Sequence, residues 1–242
     1  LAAGKNGLTE DELLDVLSLD KGVMADFFER SPESPRVDRL PVVVWSRLFA
    51  DIEPYMTRRR ADGTVVMDFY HRQVGETVQK RYLAREEARV KAHQHLGEYF
   101  RGQADPTGDS AWVGTNSRAF AELCHHEIHA ELWGQLEATL CSLRFVEARC
   151  LRGMYFDLLR DCERATREHD LCAVIQMHEA LLLEGDGLLA DPETTTQLLY
   201  NRIIWFDSPA PVWRAQLDMA RSYLNTKSHW ISAEAALPAR QA

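Results

Sequence analysis

The sequence predicts a mainly α protein: a winged-helix domain with a β-hairpin wing, followed by an all-helical domain of helical-repeat type. Three observations predict it. Apolar residues recur at i, i+3, i+4 and i+7 along most of the chain. Asp62-Gly63 stands between two β-prone runs, YMTRRR and TVVMDFY, which is the signal of a two-residue hairpin. The segment RGQADPTGDS, residues 101–110, is rich in turn formers and poor in apolar side chains, and so reads as a boundary. The resulting division is a winged helix with trailing helices over 1–102, a helical domain over 111–226, and a linker or tail over 227–242.

Each element has a local reason. Thr9 with Glu12 three residues on makes a capping box ahead of the Leu13, Leu14, Leu17 stripe. Asp20 caps a second helix with Val23, Met24, Phe27 and Phe28 on its apolar face. The three prolines of SPESPRVDRLP end that helix. Pro41 opens a third helix carrying Trp45, Leu48, Phe49 and Ile52, and Pro54 closes it. In the hairpin, Val65, Met67 and Phe69 alternate along one face of the second strand. Three helices and then a hairpin is the element order of a winged helix. Two more helices follow, near 72–83 and 86–101.

Beyond the boundary, Phe120, Leu123 and Cys124 begin a helical stripe. Val146, Cys150, Met154 and Leu158 form an i+4 ladder, and Leu171, Val174, Ile175, His178, Leu181 and Leu182 form another. Glu184-Gly185-Asp186-Gly187 reads as a turn. Asp191 caps a helix opened by Pro192, and Pro209 and Pro211 precede a last helix with Trp213, Leu217, Ala220 and Leu224. Helices with short breaks predict stacked pairs, although no strict repeat period is present.

Composition narrows the function. The 242 residues are 45% hydrophobic and 27% charged, with a net charge of −9, which argues against a protein that grips nucleic acid through its phosphates. The five cysteines form no C-x-x-C pair and sit mostly beside leucines and alanines, as small apolar residues do. They point to a reducing, cytoplasmic setting. No stretch has the length of a membrane span, and the polar start is unlike a signal peptide. The absence of an initiator Met at Leu1 points to a piece of a longer protein or a trimmed product.

Three segments in order, GLTEDELLDVLSLD, LPVVVWSRLFADIEPYM and ADGTVVMDFYHRQV, resemble one region of the NACHT–WD-repeat proteins, members of the STAND class of signalling ATPases. In that family the region lies just after the nucleotide-binding core. LCSLRFVEARCLRGMYFDLLRDCERA resembles the helical segment that leads toward a WD-repeat propeller. The resemblance covers roughly residues 7–165. No G-x-x-x-x-G-K-[ST] loop and no WD-type strand repeat occurs here. The resemblance therefore implies an upstream nucleotide-binding domain and a downstream WD-repeat domain as partners, with ADP or ATP and Mg²⁺ held by the full-length protein and no cofactor in this chain alone. It also implies oligomerisation on activation. Neither a membrane nor nucleic acid is expected as a partner.

The same resemblance singles out His71, in the string FYHRQ. STAND proteins place a histidine at a similar spot, where it contacts the β-phosphate of ADP in the closed, inactive state. An imidazole N–H can donate to a phosphate oxygen, and a helix N-terminus adds favourable partial charge. Read from spacing alone, His71 caps its own helix or packs under the wing. Arg72 either assists by charge or is an ordinary exposed arginine.

The remaining motifs support no chemistry. In CHHEIH, residues 124–129, His125 and His129 share a helix face, yet Glu127 does not follow His125 directly as H-E-x-x-H requires. A hydrated helix face is the expectation, with no metal. His93 and His95 point to different sides of their helix. Arg58, Arg59 and Arg60 are a basic wing, but the third helix offers little for a DNA groove beyond Ser46, Arg47 and Asp51. There is no G-x-S-x-G elbow, and no triad or catalytic residue is proposed. The reading is a non-catalytic regulatory arm of a nucleotide-dependent switch. Its alternatives are a winged-helix DNA-binding regulator, tested by salt-steep duplex binding, and a helical protein-interaction scaffold.

Overall fold

A computed structural model of the chain describes residues 1–235. Among these are twelve α-helices and one two-stranded antiparallel hairpin, the mainly α class that the periodicity predicts. The chain divides into two compact units, Leu1–Arg101 and Gly102–Ala242.

The first unit opens with α1 (Glu10–Leu19). The Thr9 side chain accepts from the Glu12 N–H at 3.1 Å, and the Glu12 carboxylate accepts from the Thr9 N–H at 2.8 Å, completing the capping box. Such a cap contributes about 1 kcal/mol. Asp20 caps α2 (Lys21–Arg30) through the N–H groups of Gly22 and Val23. The proline-broken segment is not loose. Arg39 reaches back to Asp15 at 2.5 Å and Asp11 at 2.7 Å on α1, and the Leu40 N–H donates to the Ser18 hydroxyl at 2.9 Å. Leu40 is thereby held in the core with Leu14, Trp45 and Met67.

Pro41 stands just outside α3 (Val42–Ile52) as its cap rather than inside it, a one-residue difference of the kind expected at helix ends. Of the predicted stripe, Trp45 is buried and Phe49 and Ile52 pack beside the core, but Leu48 is 49% exposed. Val42, Val43 and Val44 are exposed too, so α3 turns more apolar surface outward than the core of this unit can cover. A 3-10 turn at Glu53–Tyr55 leads into β1 (Met56–Ala61), paired with β2 (Thr64–Phe69). Asp62 and Gly63 have φ of 49° and 81°, as a two-residue hairpin turn demands. Met67 is buried and Phe69 half-buried as predicted, but Val65 is exposed and Val66 takes the buried place. Val65 is one residue from the turn, where the hairpin tip has no core beneath it. Leu8 bridges Met67 from beyond the hairpin; Gly7, at φ 80°, makes this possible, since a Cβ there would lie 2.2 Å from the Met67 carbonyl oxygen. Two helices follow, α4 (Arg72–Tyr82) and α5 (Glu86–Ala104). The Tyr99 hydroxyl on α5 donates to Asp15 at 3.3 Å.

The second unit is all helix: α6 (Ser117–His129), α7 (Trp133–Leu140), α8 (Leu143–Cys150), α9 (Tyr155–Glu168), α10 (Cys172–Ala190), α11 (Thr195–Ile203) and α12 (Val212–Leu224). α6 packs on α7, α9 on α10, and α11 on α8, α10 and α12. Phe120, Phe145 and Trp112 meet at its centre, with the Trp112 indole N–H donating to Ser142 at 2.9 Å. Two sequence expectations change here. The ladder Val146, Cys150, Met154, Leu158 is not one helix, because the chain turns at Gly153, φ 71°. The expected turn at 184–187 is instead continuous helix. Gly185 lies where a Cβ would come within 2.5 Å of the Tyr155 hydroxyl, and a Cβ on Gly187 would meet Leu198 at 3.0 Å. These glycines serve close helix packing, not chain reversal. Ile175 and Leu182 of the predicted α10 stripe are exposed, while Ala173, Met177 and Ala180 are buried beside Val174 and Leu181.

The expected tail is fastened at its start. Asn201 donates to the Ile231 carbonyl at 2.7 Å and accepts from the Ala233 N–H at 2.9 Å, while Trp230 meets Tyr200 edge-on. The rest of that tail, 236–242, lies outside the described residues. Among the described residues no helix is long and apolar enough to cross a membrane.

Candidate functional site

His71 occupies the junction between β2 and α4. It is the N-cap residue of α4, with extended backbone (φ −107°, ψ 129°), and its side chain makes no capping hydrogen bond. Its carbonyl accepts from the Val74 N–H at 3.0 Å, so the helix starts there without the ring. The imidazole is exposed and meets the Tyr70 ring edge-on at 4.6 Å. Its side chain is therefore neither a capping group nor packed beneath the hairpin. Tyr70 is anchored by its N–H to the Tyr55 carbonyl at 2.8 Å, which fixes the backbone just before the ring.

On either side of His71, Tyr70 and Arg72 line a groove of about 560 Å³ together with Asp68, Gly75, Glu76 and Gln79. His71 is not among its lining residues. Arg72 is paired with Glu76 at 2.6 Å, one helical turn along, and its side chain is 91% exposed. Its charge is answered locally by an exposed i,i+4 pair worth little to stability. With Asp68 and Glu76 present, the groove lacks the cation excess that would hold a di- or triphosphate by itself.

The basic strand is partly occupied within its own unit. Arg59 pairs with Asp68 across the hairpin at 3.0 Å, and the Arg58 guanidinium lies 5.6 Å from the Phe49 ring centroid. The exposed residues of α3 are Val42, Val43, Val44, Leu48 and Ala50 beside Ser46, Arg47 and Asp51, a more apolar face than a major groove requires.

CHHEIH is not a hydrated face. Cys124, His126, Glu127 and Ile128 are buried, and His125 and His129 are half-buried. His126 faces Glu122 at 3.4 Å, with Arg118 also 3.3 Å from that carboxylate. Burial, the largest cause, pushes the His126 pKa down, against the pull of Glu122. Thr139 donates to Glu127 at 3.3 Å, and His129 Nε2 lies 2.8 Å from Arg164 Nη2. The motif's buried polar groups are thus paired with neighbours on the same and adjacent helices. In α5, His93 is buried and His95 half-buried. Cys124, Cys141, Cys150 and Cys162 are buried free thiols, and Cys172 is exposed.

One grouping has no signature in the sequence. Arg144, Glu147, Arg152, Glu193, Tyr223 and Lys227 line a single cleft in the second unit. Lys227 is 80 positions from Glu147, so no spacing rule links them.

No protein-family model matches the chain, and no solved structure matches it. Curated relatives do, and they are NACHT–WD-repeat proteins: the chain belongs to that family. It is 30% identical over 209 residues, 76% of its length, to the human NACHT domain- and WD repeat-containing protein 1. It is 29% identical over 248 aligned residues, 90% of its length, to the mouse protein of the same name. Against the human NACHT and WD repeat domain-containing protein 2, it is 30% identical over 121 residues, half of its length. The chain spans only 13–16% of the length of the first two relatives.

Proposed function

We propose that this chain is the non-catalytic regulatory arm of a STAND-type switch, its first unit a winged helix that closes over ADP through His71 in the inactive state. The observation that carries the reading is the exposed imidazole at the start of α4, not used for capping, in a chain homologous to NACHT–WD-repeat proteins. A ring so placed is open to a ligand outside this unit, and the first turn of α4 adds partial positive charge beside it. The ATPase core that supplies the remaining phosphate ligands precedes this region in the full-length protein, and the WD-repeat sensor follows it. In this reading the helical unit relays the sensor's state to the clamp, and loss of the His71 contact shifts a two-state equilibrium toward the open form. The exposed valines and Leu48 of α3 support a protein-facing role, and with Arg47 as the one basic residue among its exposed side chains they weigh against the DNA-binding alternative.

The test is His71→Ala in the full-length protein, read as ADP co-purifying with it and as basal signalling. Lower ADP occupancy with higher basal output is expected. Unchanged ADP occupancy and unchanged output overturn the reading. The chain alone should bind ADP weakly, since its own groove presents Arg72 already paired with Glu76.

A further inference from the structure

The cleft of the second unit has a volume of about 470 Å³, inside the range of small-molecule sites. Its floor is an ordered cation cluster. Glu147, 3% exposed, pairs with both Arg144 and Lys227, the latter at 3.3 Å. Both cations also cover the Tyr223 ring, Arg144 at 3.4 Å and Lys227 at 4.9 Å from its centroid. One carboxylate thus serves two cations.

Arg152 stands beside them on different terms. Its two terminal nitrogens donate to the carbonyls of Ala148 and Gly114, each at 2.6 Å. One face of its guanidinium lies 3.9 Å from the Phe120 ring centroid. Among the described residues its partners are carbonyls and a ring, and no carboxylate answers its charge. Burial lowers its pKa, the sign of a cation drawn from water without a counter-ion. Each terminal nitrogen keeps a second N–H, so a fixed donor set remains. Counting Arg144, Arg152 and Lys227 against Glu147 and Glu193 leaves the cleft one positive charge in excess, in a chain whose net charge is −9. At its mouth Val113 and Leu151 are 54% and 53% exposed.

We propose that this cleft is a binding site for a small organic anion, a carboxylate or phosphate monoester. Its acid group pairs with Arg152, and its apolar body lies along Val113 and Leu151. The guanidinium is held in place before binding by Ala148, Gly114 and Phe120, so little ordering is left to be done when the anion arrives. The site lies within the second unit and does not depend on the role of His71.

Calorimetric titration of the intact chain with phenyl phosphate, benzoate and benzyl alcohol tests this. Saturable binding of at least one of the two anions is expected, weakening as salt rises, with benzyl alcohol about ten-fold weaker or worse. The tighter of the two anions identifies the acid group. Leu151→Glu adds a negative charge at an exposed rim position and should weaken anion binding about ten-fold, with the melting temperature unchanged. The proposal is overturned if neither anion saturates, if benzyl alcohol binds as well as they do, or if Leu151→Glu leaves anion affinity as it was.

Discussion

Cys150 and Cys162 carry thiols that burial pushes up from 9.0, to about 11 and about 12 respectively. Cys124 and Cys141 are raised for the same reason. A thiol kept neutral is a poor nucleophile, so an aromatic disulfide reagent should titrate Cys172 quickly and the other four only on unfolding. The same burial couples stability to pH. In the unfolded chain these thiols ionise near pH 9, while the folded chain keeps their protons. Above that pH the unfolded state binds fewer protons, so stability falls as pH climbs from about 9 toward 12. Thermal melts between about pH 8 and about pH 10.5 should show the decline, and Cys162→Ala should shrink it while costing some stability at the lower pH. The apolar role of these cysteines was legible from their leucine and alanine neighbours. The exposure of Cys172 was not, because it depends on which side of α10 faces out.

At the scale of elements, the second unit is tied by charged pairs that no periodicity reveals. Arg149 on α8 is fully buried and donates to Asp161 on α9 at 2.6 Å, while its Nε and Nη2 have no hydrogen-bond partner among the described residues. Arg202 on α11 grips Glu184 on α10 through two donors. Removing one member of a buried pair strands the other charge. Asp161→Asn should therefore cost roughly 3–5 kcal/mol in urea unfolding, and a double replacement of Arg149 and Asp161 by apolar residues should recover much of that loss. Caps and the hairpin were readable beforehand, since Thr9, Asp20 and Asp62-Gly63 act through their immediate neighbours. The misread places share the opposite property. Gly185 and Gly187 look like a turn in sequence and are helix because Tyr155 and Leu198 approach them from other segments. The division of Val146 to Leu158 into two helices rests on one positive φ at Gly153.

For the whole molecule, the two units differ in how completely each closes on itself. The second has a core of fully buried side chains including Phe120, Leu123, Phe145, Leu158, Leu181 and Trp213. A protein beginning at residue 102 should therefore fold alone, with a helical circular-dichroism spectrum and a cooperative melt; a broad, non-cooperative transition would count against it. His71 could be singled out because it lies in a contiguous string that resembles the family, whereas the Arg152 cleft draws on residues scattered from Trp112 to Lys227. The close approach at Gly185 bears on how the helical unit can move. Tyr155 sits against that glycine and donates to the Leu181 carbonyl at 2.9 Å, which fixes the height of α10 against α9 and its rotation about its own axis. Two helices keyed in this way behave as a splined shaft: turn one and the other turns with it, with no slip between them to absorb a displacement.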